Sequence, residues 1–207
     1  MPFIRLSGAH LRAIVLVGTC LSVGAAVAAE PRPIVDFVSA TATGQGSAIN
    51  DVVYSQNPGD AALSRKDFAY GILTVVGQVG MGKSSQWAGM GVTMNVSLEG
   101  TSFDAREYKS ISFKLSASAP TKLRLRFVGD DMEINQMGCY PVVMQAVTTT
   151  LTEYTVPLST FASEGWCGGK ARSVEKTLSA LSGFEVVDTN MNGKETSFSL
   201  AAVRLNP

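Results

Sequence analysis

The segment Gly77-Gln78-Val79-Gly80-Met81-Gly82-Lys83-Ser84 satisfies the pattern GxxxxGK[ST] in full and comes after an apolar run, Ile72–Val76. In such a loop backbone amides can cradle phosphates, the lysine can reach the outer phosphates and the hydroxyl can hold Mg²⁺. That chemistry needs a helix next, to aim its N-terminal amides at the phosphate. The chain instead continues as Trp87-Ala88-Gly89-Met90-Gly91-Val92-Thr93-Met94-Asn95-Val96, β-branched and interrupted by glycine. Phe184–Asp188 could pass for a Walker B strand, but no βαβ alternation surrounds either segment. A glycine-rich loop between strands is therefore expected, and a P-loop NTPase is disfavoured.

Carboxylates offer a second chemistry. Asp130, Asp131 and Glu133 form an acidic turn after a strand-like run. Two such groups can act as acid and base on a glycosidic bond, or ligate Ca²⁺ from a loop. The plainer reading is a solvated turn. Imidazole chemistry is nearly absent, because His10 is the only histidine. Lysine plus arginine and aspartate plus glutamate each number 17, so no general attraction to nucleic acid or acidic lipid is expected. With 45% apolar and 16% charged residues in a 207-residue chain, disorder is excluded and one ordinary domain is expected.

Residues 1–29 read as a bacterial export signal. Arg5 and Arg12 make the positive region, Leu11–Val23 the apolar stretch, and Ala26-Val27-Ala28 the small residues before cleavage. The stretch is too short and too rich in glycine and alanine for a transmembrane helix, so a secreted or periplasmic protein without membrane insertion is expected. Removing it takes away His10, Cys20 and two arginines but no acid, leaving a slight acidic excess. A chain without histidine has no Ser-His-Asp, Cys-His or HExxH site. Cys139 and Cys167 remain, and in an oxidising compartment they are expected to form one disulfide, stabilising by roughly 3–4 kcal/mol. Two free thiols or half a metal site are the rival readings.

The elements that must position these groups are strands. Ile111, Phe113 and Leu115 alternate with Ser112, Lys114 and Ser116, and Leu123, Leu125 and Phe127 with Lys122, Arg124 and Arg126. Period two means one buried and one wet face. Further runs are Ile34–Val38, Tyr70–Val76, Val92–Val96, Val142–Thr149, Glu153–Leu158, Phe184–Val187 and Ser197–Leu205. Turn clusters such as Asn57-Pro58-Gly59-Asp60, Ala119-Pro120 and Met191-Asn192-Gly193-Lys194 separate them. The one helical candidate is Val174–Leu181 with Ser173 as N-cap. About nine or ten strands and minimal helix predict an all-β, antiparallel β-sandwich over 30–207 as a single domain.

On that frame Lys114, Arg124 and Arg126 share the polar parity and could form a basic patch of forked donors, although a solvated face is the plainer reading. Tyr140 and Trp166 adjoin the two cysteines, so a disulfide would bring both rings onto one pair of loops at the rim. Such rings either stack on the apolar face of a sugar or plug the end of a sandwich. Trp87, at the start of a strand, is expected in the core.

The segment Phe103-Asp104-Ala105-Arg106-Glu107-Tyr108-Lys109-Ser110-Ile111-Ser112-Phe113 resembles the "Asp–small–x–x–Tyr–x–x–Ile–x–Phe" stretch of galactose-binding-like jelly rolls. That group includes β-glucan-type carbohydrate-binding modules and the complex I intermediate-associated protein family. Thr152-Glu153-Tyr154-Thr155-Val156-Pro157-Leu158-Ser159-Thr160-Phe161, then Gly165-Trp166, resembles a second shared stretch; Leu178–Val187 and Ser197–Leu205 resemble the family's next strand and its closing one. The resemblance runs from about Trp87 to Leu205 and consists largely of core and turn positions. It implies a jelly roll and a polysaccharide or oligosaccharide ligand but carries over no ligand-binding residue; Arg126 and Gln145, at strand positions that could face a cleft, and Tyr140 and Trp166, near its rim, are the ligand-binding candidates. It would also imply a structural Ca²⁺, but Ala201-Ala202-Val203-Arg204 stands where the family carries acids, and no cofactor is expected.

A secreted, non-catalytic, carbohydrate-binding sandwich is the leading expectation. The alternatives are a jelly-roll glycoside hydrolase or polysaccharide lyase using Asp131 and Glu133, and a structural or adhesive envelope protein whose rim aromatics are plugs.

Overall fold

Residues that alternate along the sequence alternate across a sheet. In the computed structural model, whose described residues are 30–37, 39, 41–42, 48–96 and 101–207, eleven strands form two antiparallel sheets. The strands are β1 (Arg32–Val35), β2 (Ile49–Ser55), β3 (Ala61–Ala69), β4 (Ile72–Val79), β5 (Ala88–Asn95) and β6 (Ser110–Ala117). After them come β7 (Thr121–Gly129), β8 (Val142–Val147), β9 (Thr152–Pro157), β10 (Leu181–Asp188) and β11 (Glu195–Asn206). One sheet has the order β3-β4-β11-β6-β9 with β1 also paired to β11; the other has the order β2-β5-β10-β7-β8. The chain crosses between sheets at most connections, which yields the expected all-β sandwich. Residues 1–29, expected from the sequence to be an export signal, lie outside the described residues, and no helix among the described residues is long and apolar enough to cross a membrane.

Aromatic rings join the two layers. Phe113 of β6 lies 6.2 Å, centroid to centroid, from Phe184 of β10 in the opposite sheet. Phe184 in turn lies 5.5 Å from Phe127, and Phe127 lies 4.5 Å from Phe161. All three strand phenylalanines are fully buried, and such tilted rings add about 0.5–1.5 kcal/mol per pair beyond burial of area.

The structure differs from the sequence expectation in strands, in a turn and in both helices. Strands β2 and β3 are additional to the expected runs, and Tyr70 and Gly71 form the β3–β4 turn, with φ of +53° and +75°, instead of starting β4. The segment after β7 is a helix, α1 (Met132–Met137), and not a solvated acidic turn. Asp131 caps it by accepting from Ile134 N, and Gly138 closes it at φ +71°. The second helix, α2 (Val174–Leu178), starts as expected with Ser173 accepting from Lys176 N, but ends before Leu181, which opens β10.

The glycine-rich loop does cradle an oxyanion, and the oxyanion is a side chain. Asp60, from the β2–β3 turn, is fully buried; its Oδ1 accepts from Lys83 N and its Oδ2 from Ser85 N, both at 2.9 Å. Its backbone oxygen accepts from Gly80 N at 2.8 Å. These donors, the Lys83 amide first, hold the Asp60 carboxyl below its ordinary range. The loop then runs into β5 without any helix.

Candidate functional site

The outer face of the five-stranded sheet carries a wide cleft. On β7, Leu123, Leu125 and Phe127 point into the core, so Arg124 and Arg126 point out. Register places Glu185 of β10 beside Arg126, and Met144 of β8 beside Arg124. On β5, Gly89 stands opposite Tyr54 of β2 in the register. The Tyr54 ring of β2 lies across Gly89: a Cβ there would meet its Cζ at 2.6 Å.

Loops raise walls around this floor. Gln86 and Trp87 precede β5, Thr189 and Met191 come after β10, the end of α1 contributes Met137 and Gly138, and Glu164 and Trp166 come from the segment after β9. The cleft they enclose measures about 1030 Å³, at the top of the ~300–1,000 Å³ usual for small-molecule sites. Trp87 is 53% and Trp166 66% exposed. Trp87 stands on the β2–β5 side, its ring 6.2 Å from that of Tyr54. Trp166 stands on the β7 side, its indole Nε1 donating to Glu164 Oε2 at 3.2 Å.

Each arginine of the floor is committed to a glutamate. Arg126 Nη2 donates to Glu185 Oε1 at 2.7 Å and Nη1 to the carbonyl of Gly138 at 3.1 Å. Glu185 Oε1 also accepts from Thr93 Oγ1 at 2.8 Å. Arg124 Nη2 donates to Glu164 Oε2 at 2.6 Å, and its Nη1 lies 3.5 Å from the Tyr54 hydroxyl. Charge-assisted bonds of this length are strong, yet two ion pairs sum to no net charge. Burial pushes the Tyr54 phenol above its ordinary value despite both guanidinium groups, so it stays neutral. The buried Nε of each arginine and Oε2 of Glu185 lack a hydrogen bond among the described residues, although Oε2 lies 2.7 Å from Arg126 Nη2.

Of the four ligand-binding candidates, Arg126 and Trp166 line this cleft and two others do not. Tyr140 is 2% exposed and packs with Ile134, Cys139 and Cys167 in a small second core, its hydroxyl donating to Asp131 O at 2.8 Å. Burial pushes its phenol up to about 12. It plugs the structure and does not meet the cleft. Gln145 pairs with Leu123, on the opposite face from the arginines, and its amide donates to Ala146 O. The neighbouring Met144 takes the cleft-facing position.

Other expectations also change. Trp87 is a wall of the cleft and not a core residue. Lys114 lies on β6 of the other sheet, so it forms no patch with Arg124 and Arg126. The disulfide between Cys139 and Cys167 is present. Asp131 binds Arg172 through Oδ2 at 2.7 Å, and that guanidinium holds its carboxyl below the ordinary range, the reverse of what a general acid needs. Asp131 lines a separate cavity of about 150 Å³ with Tyr140 and Arg172. Sequence reasoning missed Tyr54, Glu164, Glu185 and Met144. Glu185 alone left a readable trace, as a single acid at the outward parity of Phe184–Val187.

No family model matches the chain, and no curated protein matches it. Its fold is similar to the family 11 carbohydrate-binding module of the cellulosomal cellulase Lic26A-Cel5E of Clostridium thermocellum: 13% identity, 87% of this chain and 96% of the module covered, TM-score 0.58. The family 11 module from Clostridium thermocellum in complex with a β-1,3-1,4-mixed-linked tetrasaccharide matches at 12% identity, covering 87% of this chain and 97% of its own, with a TM-score of 0.52. The solution structure of CtCBM11 matches at 13% identity, 88% and 98% coverage and a TM-score of 0.54. Identities this low establish a shared fold, that of carbohydrate-binding-module β-sandwiches. They carry the carbohydrate-module part of the sequence resemblance and do not extend to the complex I intermediate-associated family.

Proposed function

We propose that the protein holds a neutral polysaccharide or oligosaccharide chain in this cleft without cleaving it, and that it does so after export. The observation that carries the reading is the pairing of exposed Trp87 and Trp166 on two sides of a floor whose arginines are each matched by a glutamate. Indole faces pack against the apolar C–H faces of sugar rings, and polar groups of the floor and walls bond their hydroxyls. A floor without net charge favours no anionic ligand, so a uronate chain gains nothing from these arginines. The similar fold that holds a tetrasaccharide supports the reading. Export is supported by the leader-like residues 1–29 together with the disulfide.

Affinity gel electrophoresis against mixed-linked β-glucan, xylan, mannan and starch tests it. At least one neutral polysaccharide should retard the protein, and Trp87→Ala and Trp166→Ala should each weaken that binding by about tenfold, the level of a binding hot spot. No retardation by any of them, or tryptophan variants that bind like the parent, would sink the proposal.

A further inference from the structure

The wall that carries Glu164 and Trp166 is a loop closed at its base. Ser163 Oγ donates to Arg172 O at 2.6 Å, and Arg172 N donates back to Ser163 Oγ at 3.1 Å. Next to the base, Ala162 and Val142 exchange backbone hydrogen bonds of 2.9 and 3.0 Å. The base therefore belongs to the sandwich. The tip, 3₁₀ turns over Gly165–Lys170, is open apart from Cys167: at Gly165, Gly168 and Gly169 a Cβ would meet no atom within 4 Å, and Trp166 is 66% exposed. Glycines leave such a tip many alternative conformations.

Besides an exposed bond from Lys170 Nζ to Met137 Sδ at 3.3 Å, two attachments hold the tip among the described residues. One is the ion pair of Glu164 with Arg124. The other is the bond from Cys167, near the middle of the loop, to Cys139 just after α1. Both cysteines sit in the small second core with Ile134 and Tyr140, and neither belongs to the main core between the sheets. Cys167 N donates to Glu164 O at 3.0 Å, so the position of Cys167 also sets that of Glu164 and, between them, of Trp166.

We propose that the Cys139–Cys167 disulfide is a positioning element of the binding cleft: it fixes the Glu164–Trp166 wall for ligand, while the sandwich folds without it. The inference rests on the cleft being the glycan site. Without the bond, the glycine-rich tip samples positions in which Trp166 is off the cleft. The apparent affinity then falls by the fraction of molecules still competent.

The double variant Cys139→Ser, Cys167→Ser is compared with the parent in two measurements. The first is the dissociation constant for whichever neutral polysaccharide of the panel retards the parent. The second is acrylamide quenching of fluorescence in a Trp87→Phe background, where Trp166 is the remaining indole. The expected result is binding weakened at least about fivefold, stronger quenching of Trp166, and a thermal transition that stays cooperative. Unchanged affinity in the double variant overturns the positioning role and leaves the glycan reading intact. A parent that binds no polysaccharide overturns the glycan reading. Trp166 quenching then decides the positioning role alone, and unchanged quenching overturns it. A double variant without a cooperative transition overturns it too, because the sandwich then depends on the bond.

Discussion

Asp60 is the residue around which the glycine-rich loop is built. Its carboxylate takes the Lys83 and Ser85 amides that a phosphate would take in a nucleotide-binding loop. Asp60→Asn keeps one acceptor and turns an amide group toward the other N–H, leaving a buried donor unmatched. The melting temperature should fall by on the order of 5 °C. Lys83→Ala should shift it by less than about 1 °C, since the Lys83 side chain is exposed and its amide does the bonding. The pH dependence comes from the lowered carboxyls of Asp60, Asp104 and Asp131, that of Asp104 held at about 2 by its bonds from Arg106. A group depressed in the folded state stabilises fully above its ordinary value, near 3.8, and loses that contribution as pH falls through the folded value. Melts recorded down the acid range should show the parent losing stability below about pH 4, with Asp60→Asn flatter because one such group is gone. A variant with the same acid slope as the parent contradicts the assignment.

At the scale of elements, the close approach of β5 to β10 depends on Gly91. A Cβ there would fall on Val186 O and within 2.7 Å of Val187 Cα, both backbone atoms of β10 that cannot turn aside. Gly91→Ala should cost about 1–3 kcal/mol in urea unfolding, whereas Gly165→Ala, facing open space, should stay within about 0.5 kcal/mol. Equal effects from the two would refute this account. The same pair of sheets explains what could be read beforehand. Strands β6 and β7 were legible because Ile111, Phe113, Leu123 and Leu125 each keep one face apolar without interruption. Edge strand β3 was hidden because its bulge between Leu63 and Arg65 resets the parity and its outer residues are charged. Helix α1 was hidden because Asp131 resembled a solvated turn residue, although Asp131 at one end and Gly138 at the other are cap signals. In the cleft, Arg126 was legible from parity. Gln145 failed by one residue on an edge strand with little alternation, and Tyr140 failed because adjacency to a cysteine does not say which way a ring turns. The Glu164–Arg124 pair joins residues 40 apart, which no local pattern announces.

For the whole molecule, the decisive property is a cleft with matched charges on a chain whose basic and acidic side chains balance at 17 each. Binding of a neutral glycan should then be almost insensitive to ionic strength, changing by less than about twofold between low salt and about 0.5 M NaCl, because there is no net attraction to screen. Titrations of the retarding polysaccharide at both salt levels check this. A steep loss with salt would mean that an arginine leaves its glutamate and meets an anionic ligand.

The pairing of β1 with β11 has a consequence for how the sandwich can be attached to other things. Arg32 stands opposite Leu205, so the two ends of the described domain leave from neighbouring positions. Both belong to the sheet behind the cleft. A short linker could therefore join them, with new ends opened at the exposed Tyr70–Gly71 turn, and the strand order would survive as a circular permutant. Equally, the domain could be spliced into a host protein by a single pair of adjacent junctions, with its cleft facing away from the splice.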